Sequence, residues 1–319
     1  MKKLLLILIA LPMVGFGQNV NIPDANFKAV LVGNSTINTN GDSEIQVSEA
    51  TAFNGTIDCE SMNISNLTGI EAFTALEILQ CGSNNLTSLD VTSNTSLIEL
   101  WCSYTQLTSF DVSNNTNLTY LILGTNQLTS LDVSNNLDLT FFSCQFNQLT
   151  SLDVSANLAL SYLYCSGNLL SNLDVSANTA LISLSCSYNQ LTCLDVSNNT
   201  VLTYLSCSNN LLEQLNTKNS NWQNLDVEAI NNNLTCVEVD NLGYANTNWA
   251  TTFDSFVTFS TNCNYTNPCS TVSAIEEQIT NKELLKVTDL LGRETKGTKN
   301  EVLFYIYDDG TVEKRIVIE

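Results

Sequence analysis

The strongest constraint on the fold is an internal repeat of 21 residues in the middle of the chain. Each unit reads approximately LxxLxCxxNxLTxLDVSxNxx, as in LTYLILGTNQLTSLDVSNNLD from Leu118. Seven consecutive units begin at Leu76, Leu97, Leu118, Leu139, Leu160, Leu181 and Leu202. A unit this short cannot bury its own apolar face, so the copies must stack on one another around a shared core.

Each unit consists of two similar halves, and each half contains a short alternating apolar segment. Leu121-x-Leu123 and Leu131-x-Val133 are examples from one unit. Alternation of this kind favours a strand that is buried on one face. The repeat therefore predicts a mostly β, parallel solenoid with two sheets per coil over residues 54–241, filled by columns of Leu, Cys and Val.

The repeat resembles the leucine-rich repeats of bacterial surface proteins, in particular the nested 21-residue class called IRREKO, over residues 54–240. That resemblance implies a leucine-rich-repeat solenoid and, usually, a binding role. It also implies a capping unit over residues 242–265. In that context we expect Cys236 and Cys263, which bracket the non-repeat segment, to form a disulfide.

One column of cysteines runs through the repeats, and Leu123 replaces Cys in one unit. Because Leu substitutes there, the column requires a small apolar body, which a free thiol provides. Neighbouring positions of a parallel sheet lie about 4.8 Å apart, a poor match to disulfide geometry. These thiols are therefore expected to be buried and unpaired, whereas Cys193 and Cys269 have no assigned role.

Residues 18–53 are predicted to form an N-terminal cap with a short helix followed by a candidate calcium loop. The loop sequence NTNGDSEIQVSE resembles an EF-hand-type loop, whose oxygen atoms surround a hard cation and whose final glutamate binds bidentately. A solvated polar turn is the alternative. The candidate calcium ligands are Asn38, Asn40, Asp42, Glu44 and Glu49.

Residues 1–17 predict a secretory signal peptide, because Lys2 and Lys3 precede the apolar run 4–16, which ends among small residues. This run is shorter than the roughly 20 residues that a membrane-spanning helix needs, and no other apolar run approaches that length. The protein is therefore expected to pass the inner membrane and reach the cell surface or the medium, without a transmembrane segment.

The tail differs in charge from the repeats, because residues 282–319 hold seven of the 11 basic residues. It follows a predicted linker, residues 266–281, and is predicted to contain three strands. LLGRE at 290–294 and DGTVEKRIVIE at 309–319 resemble the C-terminal sorting domains of the Bacteroidota type IX secretion system. That resemblance implies the type IX secretion machinery as a partner.

Composition excludes several classes of function. The chain has no histidine, which removes Ser-His-Asp and Cys-His catalysis and the usual general base at neutral pH. Its net charge is −21, and Lys218 is the only basic residue between residues 29 and 281, so a nucleic-acid surface is excluded. The aspartates are periodic rather than paired, and we do not expect an enzyme.

Nine large aromatic residues follow the outward positions or the edge of the first-half sheet. Exposed rings bury much area at little entropic cost, which predicts a ligand-binding face. Aromatic residues also favour strands and pair with their neighbours there, so simple sheet packing is the alternative. The nine residues are Trp101, Tyr104, Tyr120, Phe141, Phe146, Tyr162, Tyr164, Tyr188 and Tyr204.

The sequence therefore supports two hypotheses of function. In the first, the protein is an exported, non-enzymatic binding scaffold that recognises protein or glycan ligands. In the second, it is a structural or adhesive surface-layer protein without a specific soluble ligand, and its repeats provide stiffness and self-association. Neither hypothesis requires a cofactor, and Ca²⁺ is a candidate ion.

Overall fold

The structure is a computed structural model, and it describes residues 17–265, Cys269, 284–288, 302–307 and 312–316. The predicted signal peptide therefore lies almost wholly outside the described residues. Most of the predicted linker and of the predicted sorting segment also lies outside them. The chain divides into two units after Ser270, and the first unit contains the repeats.

Two short helices form the N-terminal end of the first unit, α1 (Ala25–Gly33) and α2 (Val47–Ala52). The Asp24 carboxylate accepts hydrogen bonds from two N–H groups of the first turn of α1, at 3.0 and 3.1 Å. A side-chain cap of this kind stabilises a helix by about 1 kcal/mol. Phe27 and Leu31 are the buried residues of α1, and they join the core of the solenoid.

A nine-stranded parallel sheet is built from the first half of each unit. Leu79 pairs with Leu100, and Leu100 pairs with Leu121, so one repeat forms one coil. The middle residue of each strand is buried, and its two neighbours lie on the outer face. In strand numbers that follow the chain, this sheet comprises β1 (Thr56–Asp58), β2 (Ile78–Gln80), β3 (Glu99–Trp101), β4 (Tyr120–Ile122), β5 (Phe141–Ser143), β6 (Tyr162–Tyr164), β7 (Ser183–Ser185), β9 (Tyr204–Ser206) and β11 (Asp226–Glu228).

The second half-units form a smaller parallel sheet near the C-terminal end of the solenoid, in the order β13, β12, β10, β8. In earlier coils the second half has no strand, and only a 3-10 helix (Ile70–Ala72) and turns lie there. The arrangement of two sheets per coil is thus complete only in the last coils. The strands are β8 (Cys193–Asp195), β10 (Gln214–Asn216), β12 (Cys236–Glu238) and β13 (Thr258–Ser260).

The core consists of stacked columns of leucine, valine and cysteine. Burial raises the pKa of the Cys165 and Cys207 thiols to about 12, so both are neutral at physiological pH. Among the described residues, the free and buried cysteines are Cys59, Cys81, Cys102, Cys144, Cys165, Cys186 and Cys207.

Two columns of buried asparagines satisfy the backbone where the chain bends. In the first column, Asn126 Nδ2 donates to Cys102 O at 2.8 Å, and its Oδ1 accepts from Leu107 N at 3.1 Å. In the second column, Asn115 Nδ2 donates to two carbonyls of the preceding coil, each at 2.9 Å. Thr105 interrupts the first column, and its hydroxyl donates to Asn126 Oδ1.

The C-terminal end of the solenoid is closed by helix α3 (Leu242–Asn248) and by β13. The indole N–H of the buried Trp249 donates to Leu225 O at 3.2 Å and ties this end to the last coils. Two disulfides join the same region, Cys236–Cys263 and Cys193–Cys269, with Cα–Cα distances of 5.9 and 5.7 Å.

The second unit contains an antiparallel three-stranded sheet in the order β14 (Leu284–Thr288), β15 (Val302–Tyr307), β16 (Val312–Ile316). Its strands lie in the three segments for which the sequence predicts strands. The hairpin signal between β15 and β16 falls outside the described residues.

Candidate ligand-binding surface

The nine predicted aromatic residues fall into three sets. Five lie side by side on the outer face of the nine-stranded sheet and are called the aromatic ladder. Three lie three residues after the end of a strand, at the corner where the first half-unit ends, and are called the corner row. Tyr204 stands apart. The ladder comprises Trp101, Tyr120, Phe141, Tyr162 and Tyr164, and the corner row comprises Tyr104, Phe146 and Tyr188.

The rings of the aromatic ladder pack against one another. Tyr120 stacks on Phe141 with ring centroids 4.1 Å apart and planes 10° apart, and Trp101 stacks on Tyr120 at 5.6 Å and 22°. Phe141 also contacts Tyr162 and, edge to face, Tyr164. The faces of Trp101, Tyr120 and Phe141 are thus partly covered by neighbouring rings, whereas Tyr162 stays 37% exposed. Each such pair contributes about 0.5–1.5 kcal/mol to stability.

The corner row is exposed. Tyr104, Phe146 and Tyr188 retain 66, 58 and 62% of their accessible surface. Each has a positive φ of 53–55°, a left-handed backbone conformation that turns the chain sharply after the strand. The three rings lie in alternate coils, since their positions are two repeats of 21 residues apart.

The coils between the corner rings carry smaller residues at the same position, Thr125, Gly167 and Asn209. Gly167 allows the ring of Phe146 to lie against the next coil, because a Cβ atom there would come within 2.6 Å of that ring. Large and small residues therefore alternate along the corner. This alternation is visible in the sequence as a period of two repeats. A comparison of single 21-residue repeats does not reveal it.

An uncharged band surrounds the corner row. In five coils, residues 102–110, 123–131, 144–152, 165–173 and 186–194 contain no Asp, Glu, Lys or Arg, although the chain has a net charge of −21. Exposed amides and hydroxyls fill the band instead, including Gln127, Gln148 and Thr129. Its hydrogen-bonding side chains were not among the residues singled out from the sequence.

Tyr204 lies beyond the ladder and belongs to a different environment. Its hydroxyl donates to the Glu228 carboxylate at 3.3 Å. Partial burial, and to a smaller extent the Glu228 charge, raises the pKa of this phenol. The structure thus places Tyr204 beside an acidic end of the sheet rather than with the other rings.

The periodic aspartates of the second half-units act on their own backbone. Asp111 Oδ1 accepts from Ser113 N, and Asp132 Oδ1 accepts from Ser134 N, both at 2.8 Å. These backbone hydrogen bonds, with support from the serine hydroxyls, hold the pKa of both carboxyls below the usual range. The column is a row of structural turns, which accounts for its constancy within the chain.

The oxygens of the candidate calcium loop are engaged within the protein. Glu49 Oε1 accepts from Thr39 N at 2.8 Å and from Asn40 N at 3.2 Å, while its Oε2 accepts from Gln46 N at 3.0 Å. Burial acts to raise the pKa of Glu49, but the hydrogen bonds together outweigh it and lower the pKa. Glu49 therefore serves as an internal acceptor that closes the loop onto α2.

The other candidate calcium ligands are used in a similar way. Asn38 Oδ1 accepts from Gly41 N at 3.0 Å, and Asp42 Oδ1 accepts from Glu44 N at 2.7 Å. Asn40 Oδ1 accepts from Asp42 N, and Glu44 pairs with Lys28 at 2.6 Å. In this arrangement the candidate ligand oxygens already accept hydrogen bonds from the protein, with which a cation would have to compete. Calcium binding remains a prediction from the sequence.

No protein-family model and no curated protein sequence matches the chain. Among solved structures, an internalin (inlF) from Listeria monocytogenes is 21% identical, covers 77% of this chain and 72% of its own, and superposes with a TM-score of 0.59. A leucine-rich-repeat protein from Leptospira interrogans is 23% identical, with coverages of 61% and 57% and a TM-score of 0.52. The fold is a leucine-rich-repeat solenoid.

The functional domain of InlJ from Listeria monocytogenes, which includes a cysteine ladder, is 33% identical with a TM-score of 0.44. The match covers 69% of this chain, and the chain spans 58% of the length of that domain. The likeness to the internalin inlF establishes the leucine-rich-repeat fold, and ligands have to be argued from the surface of this solenoid itself.

Other surfaces of the leucine-rich-repeat solenoid offer less. Within the described part of the chain, no group of three or more Cys, Asp or Glu residues is placed to hold a metal ion. None of the described helices is long and apolar enough to cross a membrane. A cavity of about 410 Å³ lies beside the second sheet, and its carboxylates Asp195 and Glu238 accept hydrogen bonds from Asn216 and Cys263 N.

Proposed function

We propose that the protein is an exported, non-enzymatic leucine-rich-repeat scaffold that binds a protein or glycan ligand on the outer surface of its first half-units. The observation that carries this proposal is the corner row, because three rings remain 58–66% exposed in an uncharged band. Exposed aromatic residues of this kind are enriched where proteins bind partners. The predicted signal peptide supports a location outside the inner membrane.

The aromatic ladder has a supporting role in this proposal. Because its rings pack against one another, we assign the ladder to the stability of the sheet and the corner row to recognition. The nine residues predicted as one ligand face are thereby divided. Trp101 and Tyr120 belong to the ladder and stabilise the sheet, whereas Tyr104 and Tyr188 belong to the corner row and contact the ligand.

The test uses the full chain, processed by its own export signals, on arrays of glycans and extracellular proteins. The corner variant Tyr104→Ala/Phe146→Ala/Tyr188→Ala is compared with Phe256→Ala, which removes an equally exposed ring (62%) from the C-terminal cap. We expect a saturable ligand whose binding is lost in the corner variant and retained in the control. Circular dichroism and thermal melting verify that both variants fold.

A structural or adhesive layer protein is the second candidate, and the continuous ladder favours it because stacked rings stiffen a sheet. It would bind no array component, while purified protein would self-associate or promote cell adhesion. If the corner variant assembles as the wild type does and neither array gives a ligand, the structural candidate replaces the binding scaffold.

For the tail, we propose recognition by the type IX secretion machinery through residues 282–319. The support is the sequence resemblance at 290–294 and 309–319 together with three strands in this segment. Deletion of residues 282–319 is expected to retain the protein inside the cell envelope, as measured by fractionation. Release of the shortened chain into the medium at the wild-type level would contradict this proposal.

A further inference from the structure

The spacing of the corner row singles out one class of ligand. Tyr104, Phe146 and Tyr188 occupy the same position in alternate coils, and parallel strands lie about 4.8 Å apart, so the backbone positions of neighbouring rings are separated by about 10 Å. The intervening positions hold Thr125 and Gly167, which do not rise between the rings as another aromatic would. The three rings therefore project from backbone positions that recur at an even interval of about 10 Å along the coil axis.

The surroundings of these rings are neutral and rich in hydrogen-bonding groups. Gln127, Gln148 and Thr129 are exposed, and within the described part of the chain their side chains make no hydrogen bond. No charged side chain lies in the band over the five coils. A charged ligand would find no opposite charge there, whereas a ligand with many hydroxyl groups would find both donors and acceptors.

The two observations together match an extended, neutral polysaccharide. A pyranose ring presents a flat face of C–H groups that packs on an aromatic ring, and its hydroxyls point outward around the edge. In a chain joined by equatorial β-1,4 links, sugars alternate in orientation, so every second sugar presents the same face. The length of two such units is close to the separation of the corner rings.

We infer that the corner row binds a neutral β-1,4-linked polysaccharide, with each of its three rings stacked on every second sugar. This inference rests on the proposed function, because it names the ligand class of the same surface. The amides and hydroxyls of the band bind the sugar hydroxyls on both sides of the rings. Binding is independent of salt, since neither surface carries charge.

The experiment measures depletion of the full-length protein by insoluble cellulose and chitin, with starch as the α-linked control and curdlan as the β-1,3-linked control. We expect binding to the β-1,4-linked polymers alone, unchanged between about 0.05 and 0.5 M salt. The triple corner variant is expected to lose about tenfold or more in affinity, while Phe256→Ala binds like the wild type.

A register variant separates ring spacing from ring number. Tyr188→Asn combined with Asn209→Tyr moves one ring by one coil, and both positions have the same left-handed backbone, with φ of 55° and 57°. The variant keeps three exposed rings but breaks the even interval. We expect its affinity for cellulose or chitin to fall nearly as far as that of the triple variant.

The outcomes distinguish this inference from the proposed function. If the register variant binds as tightly as the wild type, or if starch competes equally, the inference is overturned. If no polysaccharide is bound but an array protein is captured through the corner row, the ligand is a protein, and the inference fails while the proposed function stands. If neither class binds, both fail.

Discussion

Short polar side chains complete the backbone at the bends of every coil. Asp111 and its equivalents accept from the N–H two residues later, and Asn126 bonds both its own coil and the one before. Buried N–H and C=O groups without partners cost about 1–3 kcal/mol each, so these residues are required wherever the strand ladder stops. The repeats retain these residues because the same backbone groups need partners at each bend, and Thr105 is an exception in the first column.

The column of thiols leads to a prediction of chemical reactivity. Cys165 and Cys207 are fully buried, and burial raises the pKa of each thiol to about 12, so little thiolate is present or accessible at neutral pH. We expect the native protein to be inert to a thiol reagent and to react at seven cysteines after unfolding without reductant. Mass spectrometry of alkylated protein provides the count, and rapid native labelling at these positions would contradict the packing.

Glu49 leads to a prediction of pH dependence. Its pKa is lowered in the folded protein, so its stabilising contribution is complete above its unfolded pKa and is lost as the pH falls through the lower, folded value. Glu49→Gln should lower the free energy of unfolding at pH 7 by about 1–3 kcal/mol, since three backbone donors lose a charged acceptor. The difference from the wild type should shrink toward about pH 3.

The exposed Glu71→Gln is the matched control for this experiment, since it lies outside the loop. Urea melts with calcium and with a chelator test the loop directly. An equal difference between Glu49→Gln and wild type at both pH values would contradict the role of the charge. A calcium-dependent rise in stability would show that an ion displaces the internal donors.

At the scale of elements, cross-coil contacts differ between the two sides of the solenoid. The first sheet is held by backbone pairing and by the aromatic ladder. On the other side of the earlier coils, asparagine side chains link one coil to the next, as Asn136 does to Val112 O at 3.1 Å and Asn115 O at 2.9 Å. The stability of those half-units therefore depends on a few amides rather than on a ladder.

Removal of one such amide is the corresponding prediction. Asn136→Ala removes two hydrogen bonds to carbonyls of the preceding coil, each of which keeps one backbone donor, and it opens a small cavity. We therefore expect a loss of about 1–3 kcal/mol in the free energy of unfolding. Asn135→Ala, at the exposed neighbouring position, should change it by less than about 0.5 kcal/mol. Chemical denaturation monitored by circular dichroism compares the two, and equal losses would show that the buried amide has no special role.

At the scale of the whole molecule, stacking makes each coil dependent on its neighbours, and the two ends need covers. The N-terminal helices cover one end, while α3, Trp249 and the disulfides cover the other. The two cysteines of Cys236–Cys263 are 27 residues apart in the sequence. Those of Cys193–Cys269 are 76 residues apart, and this disulfide links β8 to the chain after β13. These covalent links hold the end at which the second sheet forms.

Reduction of the disulfides should destabilise this end. Each bond is expected to contribute about 2–4 kcal/mol to the free energy of unfolding, so reductant should lower the thermal midpoint of the wild type. In Cys193→Ser/Cys269→Ser the effect of reductant should be smaller, because only Cys236–Cys263 remains to be reduced. Scanning calorimetry measures the midpoints of both proteins. A wild-type midpoint that reductant leaves unchanged would contradict the stabilising role of the disulfides.

The sequence by itself determined the solenoid, its period and its core columns. These properties are local. The alternation of side chains along a strand decides which of them face inward, and the repeat length of 21 residues decides how the coils stack. The buried positions of Leu121, Cys144 and Val133 follow directly. Comparison with solved structures confirmed the leucine-rich-repeat fold.

Only the tertiary structure decided which of the nine aromatic rings are free. Tyr120 and Tyr104 look alike in the sequence, but the face of Tyr120 is covered by a ring 21 residues away, whereas the left-handed corner turns Tyr104 into solvent. The internal partners of Glu49 and the pairing of Cys193 with Cys269 were hidden for the same reason. Each depends on a contact between segments that are distant along the chain, and such contacts exist only once the coils have stacked.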